Sequence, residues 1–473
     1  MRYAGALFYL NKIQGETGKL SLDSIRRVIE RAPFARGGAR YVQVAGTNGK
    51  GSTAHYIAAI LQAAGWRVGL FTSPHLQDVR ERIRFNGRPI SRAAFARSVS
   101  AVHDLCAPLL AAGGIANLPT FFETLFLAAL HHFSGRRADW VVLEVGLGGR
   151  LDATSTVAPE VSLITNIAMD HMDILGGTLA AIAGEKAGIA RAGVPIVSGC
   201  PPRSTAARVI RARARAKGAP LIEAFAPPRR LEVEKKRGGY DCRYHVGAWR
   251  DGRVQARRDG RVGARRDGRV GARRDGVGAA HEYRFRVTQR GRHQTRNAAM
   301  AVAAVDALRE RGWSIGDNAV RAGIRAMFIP ARIERLGGRP AVILDGGHNR
   351  AGIRVLVEYL REENIRGFTL LFGVLRDKQY PGMARMLAPL AANVVLCAPD
   401  SPRALPPAEL ARYFPGKTCR IEPDPARALA VAKKFKRTII GCGSLYLAGG
   451  IRAIALGGNK HGSEKIQGPR KAV

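Results

Sequence analysis

The sequence predicts an α/β protein: a mostly parallel, doubly wound sheet, a small β-region, and a second, smaller α/β domain of Rossmann-like kind. Three observations carry that prediction. A β-branched and aromatic run at 41–45 passes through a glycine-rich turn, Gly46-Thr47-Asn48-Gly49-Lys50-Gly51-Ser52, into an apolar-periodic stretch at 54–64. Short apolar runs then alternate with helical periodicity as far as residue 223. After an interval that alternates polar and apolar residues, the same rhythm restarts at 341–344.

The elements follow in order. The first forty residues read as amphipathic helical pieces, one at 21–31 ending near Pro33. The turn 46–52 reads as a phosphate loop. Its glycines let the backbone curl around an anion, the N–H groups and helix N-terminus point inward, and Lys50 adds a mobile positive charge. Ser52 stands where a P-loop hydroxyl meets phosphate and Mg²⁺. The glycine spacing is two residues tighter than the usual phosphate-loop pattern, and Gly51 separates the lysine from the serine. A nucleoside-triphosphate site is the reading; an ordinary glycine-rich turn is the alternative.

A second strand at 67–71 ends in Thr72-Ser73-Pro74-His75-Leu76, where Ser73 is either a Mg²⁺ ligand or a plain turn residue. Residues 80–87 carry a basic cluster and a turn, and 91–110 is helical. Thr120 and Glu123 form a capping box for a helix running to 133. The apolar run 140–145 is a buried strand, and Glu144 inside it needs a partner, commonly a metal. The loop 146–152 follows at that strand's end, the ligand-binding edge of open α/β sheets. A strand at 161–165 leads to Asn166, Asp170, His171 and Asp173, where a histidine beside carboxylates is a ligand candidate. Lys186, in a helix at 178–190, reads by its local context as part of a solvated face. A strand at 194–198, a basic helix at 204–217 and a strand at 220–223 complete this half.

From Arg230 the pattern changes to antiparallel strands at 231–246 and 283–287. Between them lies an eight-residue repeat, Arg-Asp-Gly-Arg-Val-(Gln/Gly)-Ala-Arg, starting at Arg250, Arg258 and Arg266, with a truncated copy from Arg274. Copies this short and polar cannot bury a useful face, so the repeat reads as an exposed, flexible hairpin insertion. A nucleic-acid-binding arm is the alternative, though it has no aromatics to stack on bases. A long alanine-rich helix runs to about 311 and a shorter one spans 318–327. A domain boundary falls near 328–332, ahead of the second α/β unit.

The totals bound the function. The 473 residues suit two or three domains, and 46% apolar content suffices for a core. Six cysteines show no metal-type pairing and no short disulfide framework, as in a reduced, intracellular setting. No apolar stretch reaches membrane-spanning length without a charged or polar break, so a cytoplasmic protein without membrane contact is expected. The net charge of +39 predicts attraction to polyanions, including weak, non-specific binding to nucleic acid.

Several segments stand together in the order of one family. They are 46–52; 72–76; Glu144-Val145-Gly146-Leu147-Gly148-Gly149-Arg150-Leu151-Asp152-Ala153-Thr154; 165–167 with Asp170-His171; Glu185-Lys186-Ala187-Gly188-Ile189; His293-Gln294 with Asn297; and Asp345-Gly346-Gly347-His348-Asn349. Over roughly 5–455, apart from the repeat, the chain resembles folylpolyglutamate synthase/dihydrofolate synthase, a branch of the Mur ligase superfamily. The resemblance implies a P-loop ATPase domain at 1–328 with the repeat inserted at 250–278 and a ligase domain at 331–456; the polar, basic residues 457–473 read as a disordered tail. It implies an ATP-dependent acid–amino-acid ligase, a monomer. ATP phosphorylates a carboxylate of dihydropteroate or a folate, and the amine of L-glutamate attacks the acyl phosphate.

Residue by residue, the resemblance makes Gly46, Thr47, Asn48, Gly49, Lys50, Gly51 and Ser52 the phosphate loop. Ser52, Ser73 and Glu144 would hold one Mg²⁺ and His171 a second. Lys186 would be the carbamylated lysine, against the solvated-face reading. Asn297, Arg332, Asp345 and His348 would contact ATP, the last three from the second domain. Thr120, Phe122, Asp152 and Ala153 would line the pterin pocket; with the 119–123 segment they favour a bifunctional enzyme over one restricted to polyglutamylation. Gly347, Arg350, Ala331 and Ser155 depart from the family's usual residues, and the repeat has no counterpart there. A Mur ligase acting on a cell-wall precursor is the other enzymatic alternative.

Overall fold

The computed structural model describes residues 1–13, 21–247 and 281–457. The repeat at 250–278 and the tail at 458–473 lie outside the described residues. The first sheet holds β1 (Arg40–Ala45), β2 (Val68–Phe71), β3 (Ile83–Phe85), β4 (Arg88–Pro89), β5 (Trp140–Glu144), β6 (Pro159–Ile164), β7 (Ile196–Ser198) and β8 (Leu221–Glu223). Their order is β4-β3-β2-β5-β1-β6-β7-β8. The pairs along β2-β5-β1-β6-β7-β8 are all parallel, and β3 and β4 at the edge pair antiparallel, β3 with β2 and β4 with β3.

This sheet is covered on both faces, which explains its continuous apolar runs. Alternate residues go opposite ways. Val42, Val44, Trp140 and Val142 join a core with the helices Lys50–Ala63 and His293–Glu310. Phe71, Val141 and Leu143 join another with Arg92–Ala111 and Phe121–Gly135. Thr120 caps the latter helix in the expected capping box with Glu123.

A three-stranded antiparallel sheet follows, β9 (Arg230–Lys236), β10 (Gly239–Val246) and β11 (His281–Val287), with β10 in the centre. Its apolar face packs into the core of the helix His293–Glu310, and Tyr283 donates its hydroxyl to Asp306 at 2.9 Å. The last β10–β11 pair is Val246 with His281, the two ends between which the repeat is inserted.

The second α/β unit holds β12 (Glu334–Leu336), β13 (Val342–Leu344), β14 (Phe368–Phe372), β15 (Ala391–Leu396), β16 (Thr418–Ile421) and β17 (Ile439–Cys442). Their order is β12-β13-β17-β14-β15-β16, all parallel except β12. The chain reaches it through 329–332, which Gln289 pins by donating to the carbonyls of Ile329 and Arg332 at 3.2 and 2.8 Å. The carboxyl ends of the two large sheets face each other. After β6, Met172 receives an amide hydrogen bond at Sδ from Gln379 beyond β14 (3.7 Å). After β2, Gln77 donates to the carbonyl of Gly449 (3.1 Å). No helix among the described residues is long and apolar enough to cross a membrane.

Candidate active site

The phosphate loop leaves β1 at the centre of the first sheet and enters the helix Lys50–Ala63. Two of its glycines are obligatory. Gly46 has φ 139°, and a Cβ there would collide with the Thr165 hydroxyl. Gly49 has φ 81°, and a Cβ there would stand 2.5 Å from Oδ1 of Asn297. Thr47 and Asn48 are held by the end of β6: the Thr47 hydroxyl donates to the Ala168 carbonyl (3.2 Å), and the Asn48 amide donates to Oδ1 of Asn166 (3.0 Å). Lys50 folds its ammonium back onto the Thr47 carbonyl at 3.2 Å. The sequence therefore builds a rigid nest at a helix N-terminus with one cation at its rim.

Glu144 ends β5 beside this loop. A Cβ on Gly51 would be 3.2 Å from its Oε2, which accepts the Ser73 N–H at 2.9 Å. Burial pushes its pKa up, and the Lys50 ammonium offsets part of that rise. Ser52 is likewise buried. Lys186 is 5% exposed, so the solvated-face reading of its helix is wrong. Burial, deepened by the Lys50 charge, brings its pKa down to about 7, while Asp170 and Asp152 pull the other way. His171 follows β6 in a left-handed turn at φ 51°, and burial lowers its pKa.

Asp152 is fully engaged by its own loop. Its Oδ2 accepts the N–H groups of Gly146 and Leu147, and its Oδ1 accepts the amide and hydroxyl of Thr154. The carboxylate shapes the loop after β5. Phe122 packs there, against Gly146 and 5.5 Å from the ring of Phe71. Ala153 is buried next to it, while the Thr120 hydroxyl donates to Glu123.

The second unit supplies the opposite wall. Asp345 directly follows β13 and accepts the N–H groups of Ile333 (3.0 Å) and Gly347 (2.8 Å). Burial raises its pKa, against the opposing field of Arg332. Arg332 lies over Gly346, between Ala331 and Ile333, both in the left-handed region at φ 53° and 51°. His348 has its Nδ1 3.0 Å from the Gly346 carbonyl, and burial brings its pKa to about 4.

Sequence reasoning assigned no role to the residues that join the two walls. Asp170, between them, pairs with Lys378 (3.2 Å) and accepts from Asn349 (3.0 Å). Burial would raise its pKa, but Lys378 and the nearby histidines outweigh that and hold it at about 2. Asn349 also donates to Oδ1 of Asn48 in the phosphate loop. Asn349 stands in the quoted 345–349 segment; Lys378, in a polar loop, has no local signal beyond its place at a strand end. The structure thus gathers the loop 46–52, Ser73, Glu144, His171, Lys186 and Asn297 at the carboxyl edge of the first sheet, faced by the strand-end loops of the second.

Comparison with known proteins agrees with this arrangement. The Mur ligase middle domain family matches residues 44–196, and the Mur ligase, glutamate ligase domain family matches 331–444. Folylpolyglutamate synthase of Lacticaseibacillus casei is 32% identical over 427 residues, covering 89% of this chain and 90% of that one. Dihydrofolate synthase/folylpolyglutamate synthase of Bacillus subtilis is 31% identical over 451 residues, covering 92% and 94%. A solved structure of Escherichia coli FolC in complex with DHPP and ADP superposes with a TM-score of 0.78 at 27% identity, covering 97% of this chain and 98% of that one. A phosphate loop faced by a second α/β unit, over nearly the full length of these relatives, places the chain in the folylpolyglutamate synthase/dihydrofolate synthase family of Mur ligases.

Proposed function

We propose that this ATP-dependent ligase joins L-glutamate both to dihydropteroate and to folates. The observation that carries the reading is the convergence of the phosphate loop, a buried Glu144 and a buried Lys186 of lowered pKa at one sheet edge. The chemistry needs orientation and charge neutralisation more than a protein nucleophile. The nest 46–52 and Lys50 hold the phosphates of ATP, and Asn297, Arg332, Asp345 and His348 hold the rest of the nucleotide from both walls. Phe122, with the loop that Asp152 shapes around Ala153, packs against the pterin; Thr120 fixes the helix start beneath it.

The residues fit a divalent cation. Glu144 is a buried carboxylate whose one hydrogen bond comes from a main-chain amide, and the Ser52 and Ser73 hydroxyls are of the hard-oxygen type that Mg²⁺ prefers. Glu144, Ser52 and Ser73 would hold one Mg²⁺, and His171 a second. Bound there, Mg²⁺ would neutralise phosphate charge. Lys186 at a pKa of about 7 is about half free amine near neutral pH, the form that adds CO₂, releases a proton and becomes an anionic carbamate. The decisive experiment is phosphate release with ATP and glutamate. Turnover with dihydropteroate and with a folate supports the bifunctional reading; release with folates alone restricts the enzyme to polyglutamylation.

A further inference from the structure

Arg82 has no part in the site as described, although it is only 7% exposed. It lies between β2 and β3 in a segment whose sequence reads as a basic cluster. Its carbonyl accepts the Thr72 N–H at 3.0 Å, which ties it to the turn carrying Ser73. Its Nε donates to Nδ1 of His75 at 2.9 Å, and its guanidinium carbon stands 5.2 Å from the centre of the Phe121 ring. A ring nitrogen that accepts a hydrogen bond carries no proton, so His75 is neutral here. Phe121 offers only its π face.

The two groups in direct contact with the guanidinium, His75 and Phe121, are therefore neutral. No ion pair among the described residues involves it. Both oxygens of the adjacent Glu81 are engaged by the N–H groups of Leu76, Gln77 and Asp78. Burial pushes the Arg82 pKa down to about 10, and the fields of Tyr446, Glu144 and Glu81 make up only part of the loss. Tyr446 belongs to the second unit, in the helix Leu445–Ala455, so Arg82 faces the seam between the units. Arginine is rarely buried unpaired, because an unpaired buried charge loses its hydration with nothing in return. The missing partner is an anion, and the position, between Phe121 and Glu144, identifies it.

We infer that Arg82 binds a carboxylate of the pterin acid, holding the acid end of the substrate between the Phe121–Phe122 wall and the phosphate loop. The inference rests on the folate reading above. A guanidinium grips a carboxylate with two parallel hydrogen bonds, and charge-assisted bonds of this kind are the strong ones. Dihydropteroate offers one carboxylate, the one to be activated. A folate offers two, an α and a γ.

The test is a binding comparison that needs no turnover. Pteroate and its carboxamide are titrated by fluorescence against the full chain and against Arg82→Gln, with ADP binding and the thermal transition as folding controls. Wild type is expected to prefer the acid by about 10- to 100-fold and R82Q to lose most of that preference. Equal preference in both proteins, or none in wild type, overturns the inference. If R82Q loses its thermal transition, Arg82→Lys, which keeps the charge without the fork, carries the same comparison. Folate amidated at the α or the γ position then shows which carboxylate is gripped. Phosphate release by wild type is read separately, so failure of the ligase reading and failure of the Arg82 inference are distinct results.

Discussion

Asn349 of the second unit donates its one side-chain amide to two residues of the first. Its Nδ2 lies 3.0 Å from Oδ1 of Asn48 in the phosphate loop and 3.0 Å from Oδ2 of Asp170 beyond β6, while its Oδ1 caps its own helix by accepting from Gly352 at 2.8 Å. The two functions separate by substitution. Asn349→Asp keeps a capping oxygen but replaces the bridging donor with a charge that repels Asp170. We expect kcat/KM for ATP to fall about tenfold or more while the melting temperature barely moves. A fall in melting temperature that accounts for the whole loss of activity would refute the bridge.

Lys186 makes stability depend on pH in a defined direction. Its pKa drops from 10.5 to about 7 on folding. Between those values the unfolded chain carries a proton that the folded chain has released, so stability rises with pH across that window. Below it the burial penalty is complete, and above it the penalty is gone. Lys186→Met removes the penalty. In buffers free of bicarbonate, its excess stability over wild type should therefore be largest near pH 7 and shrink toward pH 10.5. A pH-independent difference would sink this account.

Much of the fold was legible because the determinants are local. Glycine-rich turns between β-branched runs and helices mark β1, β5 and β13, and the apolar runs of β14 and β15 announce buried parallel strands. The edge strands were not legible. β3, β4, β12 and β16 are two to four residues long, and Thr418–Ile421 is largely exposed, so no apolar pattern distinguishes them from loop. The site divides along the same line. Glu144 and Lys50 are visible because a carboxylate inside a strand and a lysine in a glycine turn are locally odd. The burial of Arg82 and the pairing of Lys378 with Asp170 come from tertiary contacts between distant segments, and a run such as 376–379 reads as ordinary polar loop.

Glu144 should trade stability for activity. A buried carboxylate whose charged form burial disfavours is an expense to the metal-free protein and an asset once a cation is present. Glu144→Gln is expected to melt no lower than wild type without ligands. In wild type, Mg²⁺ added with ATP should raise the melting temperature beyond ATP alone, and a chelator should reverse the rise. E144Q should lose the Mg²⁺ increment together with ligase activity. A mutant that keeps the increment would remove Glu144 from the cation site.

The arginine surplus makes its own prediction. A chain of net charge +39 should bind nucleic acid weakly, with an affinity that falls linearly against the logarithm of salt concentration. If the repeat is the arm, excising 250–278 should flatten that slope and leave phosphate release intact, because β10 and β11 still pair from Val246 and His281 inward. An unchanged slope would assign the binding to the rest of the surface.

Ala331 offers a stabilising substitution at the junction of the two units. It holds φ 53°, donates its N–H to Oε2 of Glu334 at 2.8 Å and accepts from the Gly346 N–H at 2.8 Å, so its backbone is fixed from both sides. A left-handed conformation costs an alanine about 1–2 kcal/mol, and glycine avoids that at an entropic cost of about 0.5–1 kcal/mol. Ala331→Gly should therefore raise stability in urea by about 0.5 kcal/mol. Ala331→Val, with its branched Cβ, should lower it by more than that. Because Arg332 follows directly, KM for ATP should stay level in A331G and rise in A331V. Destabilisation by A331G would show that the chain relaxes this turn in solution.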